Sequence, residues 1–308
     1  MIKSVFRLLL PVIFLLLLSG CWNYSELNER TIIAGAAVDL TESGEILLTV
    51  ETIDFVEGES TGIEPAILTG KGRSVAEAIY DIMNQSGKEL FWYHATLLIL
   101  DNKYAEQGIR ELLDYILNER EMRLTLTLAV SRLETAAEVF ELECHGSTIK
   151  SFAITSIIKE QSGLGKTVES NAYYTINRML EPGAEFALSQ IMCDVTQKSE
   201  SVDIAGCGVF KDDRLVGWLD DSETVFLQLL NGNIQRAEFD FLVDETKIAV
   251  NAMDWNVSTE PDLVDGGVHT DVAISADYEI LAIDGNLDVN NESDTERINE
   301  AFGYYVES

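Results

Sequence analysis

Hydrophobicity is concentrated in one unbroken apolar run, Leu8 to Leu18, and then dispersed into short periodic segments. Lys3 and Arg7 precede the run, and Leu18-Ser19-Gly20-Cys21 closes it. Its length falls short of a bilayer core of ~30 Å, which takes ~20 helical residues. A basic start, a short apolar core and small residues before a cut describe a secretory signal. The cysteine directly after Ser-Gly makes it a lipoprotein signal. The thiol of Cys21 takes a diacylglycerol, the peptidase cuts before it, and the new amine is often acylated. Two or three chains anchor stably where one holds only marginally. Residues 1–20 are therefore expected to be removed, with Cys21 as the lipid attachment site and the mature body outside the cytoplasmic membrane.

Beyond a polar tether the periodicities change. Thr31 to Asp39 and Glu45 to Phe55 predict two strands joined by a turn at Ser43-Gly44, and Glu57 to Lys71 reads as a Gly- and Glu-rich loop. Ser74 with Glu77 forms a capping box for a helix whose apolar face is Val75, Ala78, Ile79 and Ile82, ended by Gly87. His94 to Leu100 predicts a strand, and Asn102 to Asn118 a helix with Ala105, Ile109, Leu112, Leu113, Ile116 and Leu117 on one face. Leu124, Leu126, Leu128 and Val130 then alternate with polar or small residues, as in a half-buried strand. Strand, helix and strand with short links imply a parallel pair. Ser131 with Glu134 suggests a further helix through Glu143, residues 148–180 look largely helical, and Ala187 to Thr196 returns to strand.

A second module is expected from about Ser199. Val202 to Phe210 and Leu215 to Leu219 read as a hairpin around Asp212-Asp213, and Ser222 to Asn231 as a helix closed by Gly232. Strands follow at Ala237 to Val243, Lys247 to Val257 and Val268 to Asp284, and Thr295 to Val306 begins a helix. The fold class is α+β, with mixed sheets and helices packed on them. Its expected division is a signal at 1–20, one or more N-terminal domains at 21–198 and a C-terminal domain at 199–308.

Composition sharpens this picture in two ways. Lys3 and Arg7 leave with the signal, so 19 Lys and Arg face 53 Asp and Glu, a net charge of −34. Such a surface repels nucleic acid and anionic head groups. The acid is uneven: 28 acids and 14 bases in residues 21–198, but 25 acids and 5 bases in 199–308. The acids are scattered and not clustered in ligand spacing, which fits a solvated shell better than a cation site. Once Cys21 is lipidated, the widely spaced Cys144, Cys193 and Cys207 form no disulfide framework.

Candidate chemistry is sparse. Gly163-Leu164-Gly165-Lys166-Thr167 ends like a phosphate-binding loop, but Glu160 stands where its first glycine is needed and helix precedes it. Asp284, Asn286, Asp288 and Asn290 alternate as in a calcium loop, yet Val289 replaces the turn glycine and Thr295 the bidentate carboxylate. His94, His145 and His269 pair at no metal spacing, and no nucleophile elbow is present. No catalytic residue, cofactor or metal is expected, and the ligand-binding residues are unknown.

Three stretches carry a resemblance. Cys21-Trp22-Asn23 with Glu26-Leu27-Asn28-Glu29 is similar to a mature start C-W-D-x-x-E-L-x-E, with Asn23 in place of Asp. Tyr93-His94, Leu97 to Leu100, Tyr104-Ala105, Gly108-Ile109, Leu112-Leu113 and Arg120-Glu121-x-Arg123 follow a G-H…A-x-x-G-I…R-x-x-E-x-R region, with Tyr93 where Gly is usual. Gly206 to Gly217 is similar to G-x-A-V-F-K-D-D-K-L-V-G, and Glu223-Thr224 follow in place. In this order the stretches resemble the Ger(x)C family of spore germination lipoproteins, the C subunits of nutrient germinant receptors.

The resemblance implies a non-catalytic subunit, lipid-anchored on the outer face of the spore inner membrane. Its implied partners are the A-type and B-type membrane subunits of a germinant receptor, besides the bilayer itself. The competing readings are a stand-alone solute-binding lipoprotein and an exported hydrolase. Family members usually run several dozen residues further, so Asp294 to Ser308 reads as the start of a late helix whose closing strand is missing.

Overall fold

The computed structural model describes residues 30–56, 62–183, 185–194, 200–264 and 267–307. The signal run, Cys21 and the first of the three family-like stretches lie outside the described residues. Two sheets organise the rest. The larger has ten strands in the order β10-β9-β7-β6-β5-β1-β2-β3, with β4 beside β1 and β8 beside β7; the smaller has the order β11-β12-β13.

The chain enters the large sheet at its middle. Strand β1 (Arg30–Leu40) pairs antiparallel with β2 (Ile46–Val56) through the turn at Gly44, whose φ is 78°. Residues 62–72, expected as loop, form a third strand, β3 (Gly62–Gly72), on the outer edge of β2. The misreading has a physical origin in its glycines. A Cβ at Gly70 would lie 2.4 Å from the Ala78 carbonyl oxygen, and one at Gly72 2.5 Å from the Ala78 nitrogen. They are glycine because helix α1 (Val75–Ser86) lies directly on the strand. Pro65 is tolerated because an edge strand leaves one side of its ladder unpaired.

Helix α1 matches its expected face, burying Val75, Ala78, Ile79 and Ile82 and ending on Gly87 at φ 67°. Ser74 Oγ accepts from the Glu77 amide at 3.2 Å, while Glu77 Oε2 reaches past the cap to the Arg73 amide at 2.9 Å. Beyond β4 (Glu89–Phe91), His94 falls in a short 3₁₀ turn, Trp92–His94, and only Leu97–Leu100 forms the strand β5. The expected helix from Asn102 to Asn118 is broken into α2 (Asn102–Gln107) and α3 (Arg110–Asn118). Gly108, at φ 130°, makes the break.

Strand β6 is shorter than its alternation suggested, Thr127–Ser131, and all five residues are buried. Strands β1, β5, β6 and β7 (Phe186–Asp194) run parallel with apolar layers on both faces. Leu98, Leu100, Leu128 and Val130 face α1, α3 and α5 (Ala172–Leu180), whereas Leu97, Ile99 and Ala129 face α4 (Lys150–Gly163). Strands sealed on both sides lose the period-two signature. The helix expected from Ser131 to Glu143 shrinks to a 3₁₀ turn at Ala137–Phe140, whose entry is held by the Asp39 carboxylate on the Ala136 and Ala137 amides. In residues 148–180, α4 and α5 are separated by an extended link.

The large sheet does not stop near position 199. After the short β8 (Ser201–Asp203), β9 (Cys207–Lys211) pairs antiparallel with β7, and β10 (Arg214–Leu219) pairs with β9. Phe210 is fully buried and stacks on Phe186 at 4.9 Å. The second core begins with α6 (Asp221–Leu230), opened by a capping box between Asp220 and Glu223. Helix α6 and α7 (Glu292–Glu307) cover one face of β11 (Arg236–Val243), β12 (Thr246–Val264) and β13 (Gly267–Asp284). Beyond Met253, β12 and β13 continue as a two-stranded arm.

Candidate functional site

Two of the family-like stretches meet in space. The Ile109 amide donates to the Asp213 carbonyl at 2.9 Å, and Arg110 Nε lies 4.0 Å from Asp213 Oδ2. A Cβ at Gly108 would come within 2.8 Å of Asp213 Oδ2, so glycine is required for contact as well as for its backbone angle. Asp212 supplies the left-handed residue of the β9–β10 turn at φ 57°. The Gly-Ile and Lys-Asp-Asp signals are thus two halves of one latch between α2–α3 and the hairpin.

The rest of the second stretch gathers at the N-terminal end of the parallel strands. Running back from the paired row Ala36–Leu98–Leu128 leads to Arg30, to Trp92–His94 and to Met122–Arg123. Phe91, Tyr93 and His94 form a ring cluster with centroids 5.7–6.1 Å apart. Arg30 lies 5.3 Å from the Phe91 centroid and Arg123 5.0 Å from that of Tyr93, cation–π distances. Arg30 also bridges Glu89 and Glu121. Tyr93 is half exposed, and Arg120 and Arg123 are exposed and make no ion pair among the described residues.

At the opposite end two buried carboxylates follow the paired row Val38–Leu100. Asp39 accepts from the Ala136 amide at 2.5 Å and the Ala137 amide at 3.2 Å. Burial pushes its carboxyl up to about 6 despite those bonds, and neighbouring Asp101 adds to the rise. Asp101 is shifted the same way, again mainly by burial; its Oδ2 accepts from the Leu40 amide at 3.4 Å. A third buried acid, Glu51 on β2, receives the Lys150 and Ser151 amides at 2.8 Å and the Ser151 hydroxyl at 2.6 Å. It caps α4 from about a hundred residues away, and no local spacing could have revealed it.

A cleft of 780 Å³ opens between α5, β7 and α6, lined by Ser170, Tyr174, Arg178, Phe186, Gln228 and Asn233 among others. Three of its polar side chains, Arg178, Gln228 and Ser170, are engaged with the protein itself. Arg178 donates to the Glu185 carbonyl and the Glu181 carboxylate, Gln228 to Ser162 Oγ and the Thr167 carbonyl, and Ser170 to the Ala187 carbonyl.

The remaining sequence signals resolve as structure. Gly165, at φ 77°, packs on Ile234, Thr167 Oγ1 donates to the Gly206 carbonyl at 2.7 Å, and the Gly206 amide donates to the Lys166 carbonyl. The loop resembling a phosphate cradle is a clasp onto the strand-β9 entry. In the calcium-like segment Asp288 accepts from the Asn290 amide and Asp294 from the Asp288 amide, which tightens the turn into α7. His145 and His269 are distant in sequence and sit apart from the ring cluster that holds His94. Cys144, Cys193 and Cys207 are free, and burial raises the Cys207 thiol to about 11. Among the described residues no three His, Cys, Asp or Glu side chains converge at metal distance. No described helix is long and apolar enough to cross a membrane.

A mixed ten-stranded sheet, latched by internal turns, and an antiparallel three-stranded one define a non-repetitive α+β protein with an arginine–aromatic end. Residues 23–192 match the family described as "Spore germination protein N-terminal domain", and 205–308 the one described as "Spore germination B3/ GerAC like, C-terminal". The chain belongs to this spore germination family. Spore germination protein KC of Bacillus subtilis (strain 168) is 22% identical over 309 residues, covering 92% of this chain and 76% of the relative. Putative spore germination protein YfkR of the same organism is 21% identical, covering 79% of this chain and 64% of the relative. The crystal structure of the GerBC protein shares the fold, with a TM-score of 0.51 at 16% identity over 89% of this chain and 78% of that one.

Proposed function

We propose that this chain is the lipid-anchored, non-catalytic C-type subunit of a spore germinant receptor, working beside A-type and B-type membrane subunits in the response to nutrients. The observation that carries the reading is coverage. Two spore germination domains match in order and together account for nearly all of the chain after its lipoprotein signal. Cys21 is the lipid attachment site, and the body sits on the outer face of the spore inner membrane.

The test is genetic and biochemical. Spores lacking the gene are expected to lose germination toward the nutrients sensed by its receptor, and Cys21→Ala protein is expected to leave the membrane fraction. Normal germination of the null spores toward every nutrient tested contradicts the subunit role. Mutant protein that remains in the pellet after a high-salt wash contradicts the anchor.

A further inference from the structure

We propose that the arginine–aromatic end of the large sheet, built from Tyr93, His94, Arg120 and Arg123, is the face this protein lays on an anionic phospholipid surface. The proposal rests on the reading of Cys21 as the tether point and names the surface that the tether presents.

Three observations converge. The first is reach. Eight residues lie between Cys21 and Arg30, the start of β1, so the tether spans at most ~30 Å when fully extended. Arg30 lies at the end of the sheet that carries the ring cluster: strand register holds Phe91 beside Ile32, and Arg123 reaches the same level over the Tyr93 ring. The tether therefore keeps this end within ~30 Å of whatever surface bears the anchor.

The second is chemistry. An amphipathic tyrosine ring, half exposed, with guanidinium groups beside it is the side-chain pairing that favours the head-group region. Arg30 is occupied by Glu89 and Glu121, which leaves Arg120 and Arg123 as the outward cations. Lys88 stands nearby just before β4, Glu119 lies on the same loop, and exposed Asp54 and Glu64 lie at the same end on β2 and β3. Arg30, Lys88, Arg120 and Arg123 thus face Glu89, Glu119, Glu121, Asp54 and Glu64, a net charge of −1 among the described residues there.

The third is contrast. Away from this end the body is strongly acidic, and residues 199–308 alone hold 25 acids against 5 bases. A body this acidic is pushed away from anionic lipid. A near-neutral face with free arginines is then the orientation of least repulsion, selected within a Debye length of ~8–10 Å.

The experiment uses the mature chain held at its N-terminus by a His-tag on nickel-chelating lipid, so that attachment does not depend on natural lipidation. A benzoylphenylalanine photo-crosslinker replaces Tyr93, with Leu281 of β13 as the control position. Vesicles are phosphatidylglycerol–phosphatidylcholine mixtures or phosphatidylcholine alone, and lipid adducts are counted by mass spectrometry. The expected result is at least about tenfold more adduct at 93 than at 281 on the anionic vesicles. Near ~1 kcal/mol, or about fivefold, per arginine, R120Q/R123Q is expected to cut that yield about tenfold or more. Equal yields at the two positions, or a yield indifferent to both arginines and lipid charge, overturns the proposal. So does an adduct formed with a second copy, or with another protein in membranes of cells expressing the variant. A failed anchor reading shows separately, as Cys21→Ala protein retained in cell membranes.

Discussion

The two sheets use acid residues in opposite ways. In the ten-stranded sheet Asp39, Glu51 and Asp101 are buried and do internal work, receiving amides of segments far away in the chain. In the three-stranded sheet the acids stand outward: Glu238 and Asp240 alternate with the buried Ala237, Phe239 and Phe241. A sheet covered on both faces can place a carboxylate only where backbone donors meet it. A sheet covered on one face can carry any number of them on the other. Acid content alone therefore says little about the chain; the layer in which an acid sits decides whether it is a structural part or a solvating one.

The sharpest way to break this comparison is to cut between the sheets. A chain ended at residue 198 loses β9 and β10, exposing the edge of β7 and leaving Phe186 without Phe210. It is expected to aggregate or melt without cooperativity, whereas a chain ended at Leu219 keeps the sheet and melts as one unit. Thermal unfolding of both, each started at residue 22, decides it. Two equally cooperative melts would place the structural division at 198 after all.

Single truncations test the same contrast at smaller scale. Phe210→Ala is expected to cost about 3–5 kcal/mol in urea unfolding, since a large buried ring leaves a cavity. Leu263→Ala, on the arm and 76% exposed, is expected to change stability by less than ~0.5 kcal/mol. Comparable losses at the two sites would mean that the arm is as tightly packed as the large sheet.

A further contrast is in pH. Asp39 holds its proton to about pH 6 in the folded chain against an ordinary value of 3.8. Between those values the unfolded chain releases a proton that the folded chain keeps. Stability therefore falls as pH rises through this window and is flat in this group above it. The difference amounts to about 3 kcal/mol at most. Asp39→Asn is expected to remove that share of the slope between about pH 4 and pH 6.5 in urea titrations, while Asp101 keeps its own. Identical slopes in the two proteins would mean that Asp39 is ionised throughout.

How much of this was legible in the sequence depended on range. Helix α1 was readable because everything that makes it lies within fourteen residues, from Ser74 to Gly87. The alternation of β11 was readable because one helix layer covers one face. Strand β3 was hidden because its glycines answer to α1, packed on it, and not to a turn. The break at Gly108 was hidden because its cause, Asp213, arrives from over a hundred residues away. Of the site, the family-like stretches could be quoted in advance, but not that Gly108-Ile109 and Asp213 touch, nor that Arg123 lies over Tyr93. Those are facts of strand register, and register is not written locally.

Strand β1 also has a mechanical meaning. A pull applied to the chain ahead of Arg30 enters the fold there and runs along a strand flanked by β2 on one side and by β4 and β5 on the other. Such a load shears many hydrogen bonds at once, instead of opening them one after another as a peripheral strand would allow. A load on the N-terminal side therefore meets a central strand of the large sheet before any edge strand.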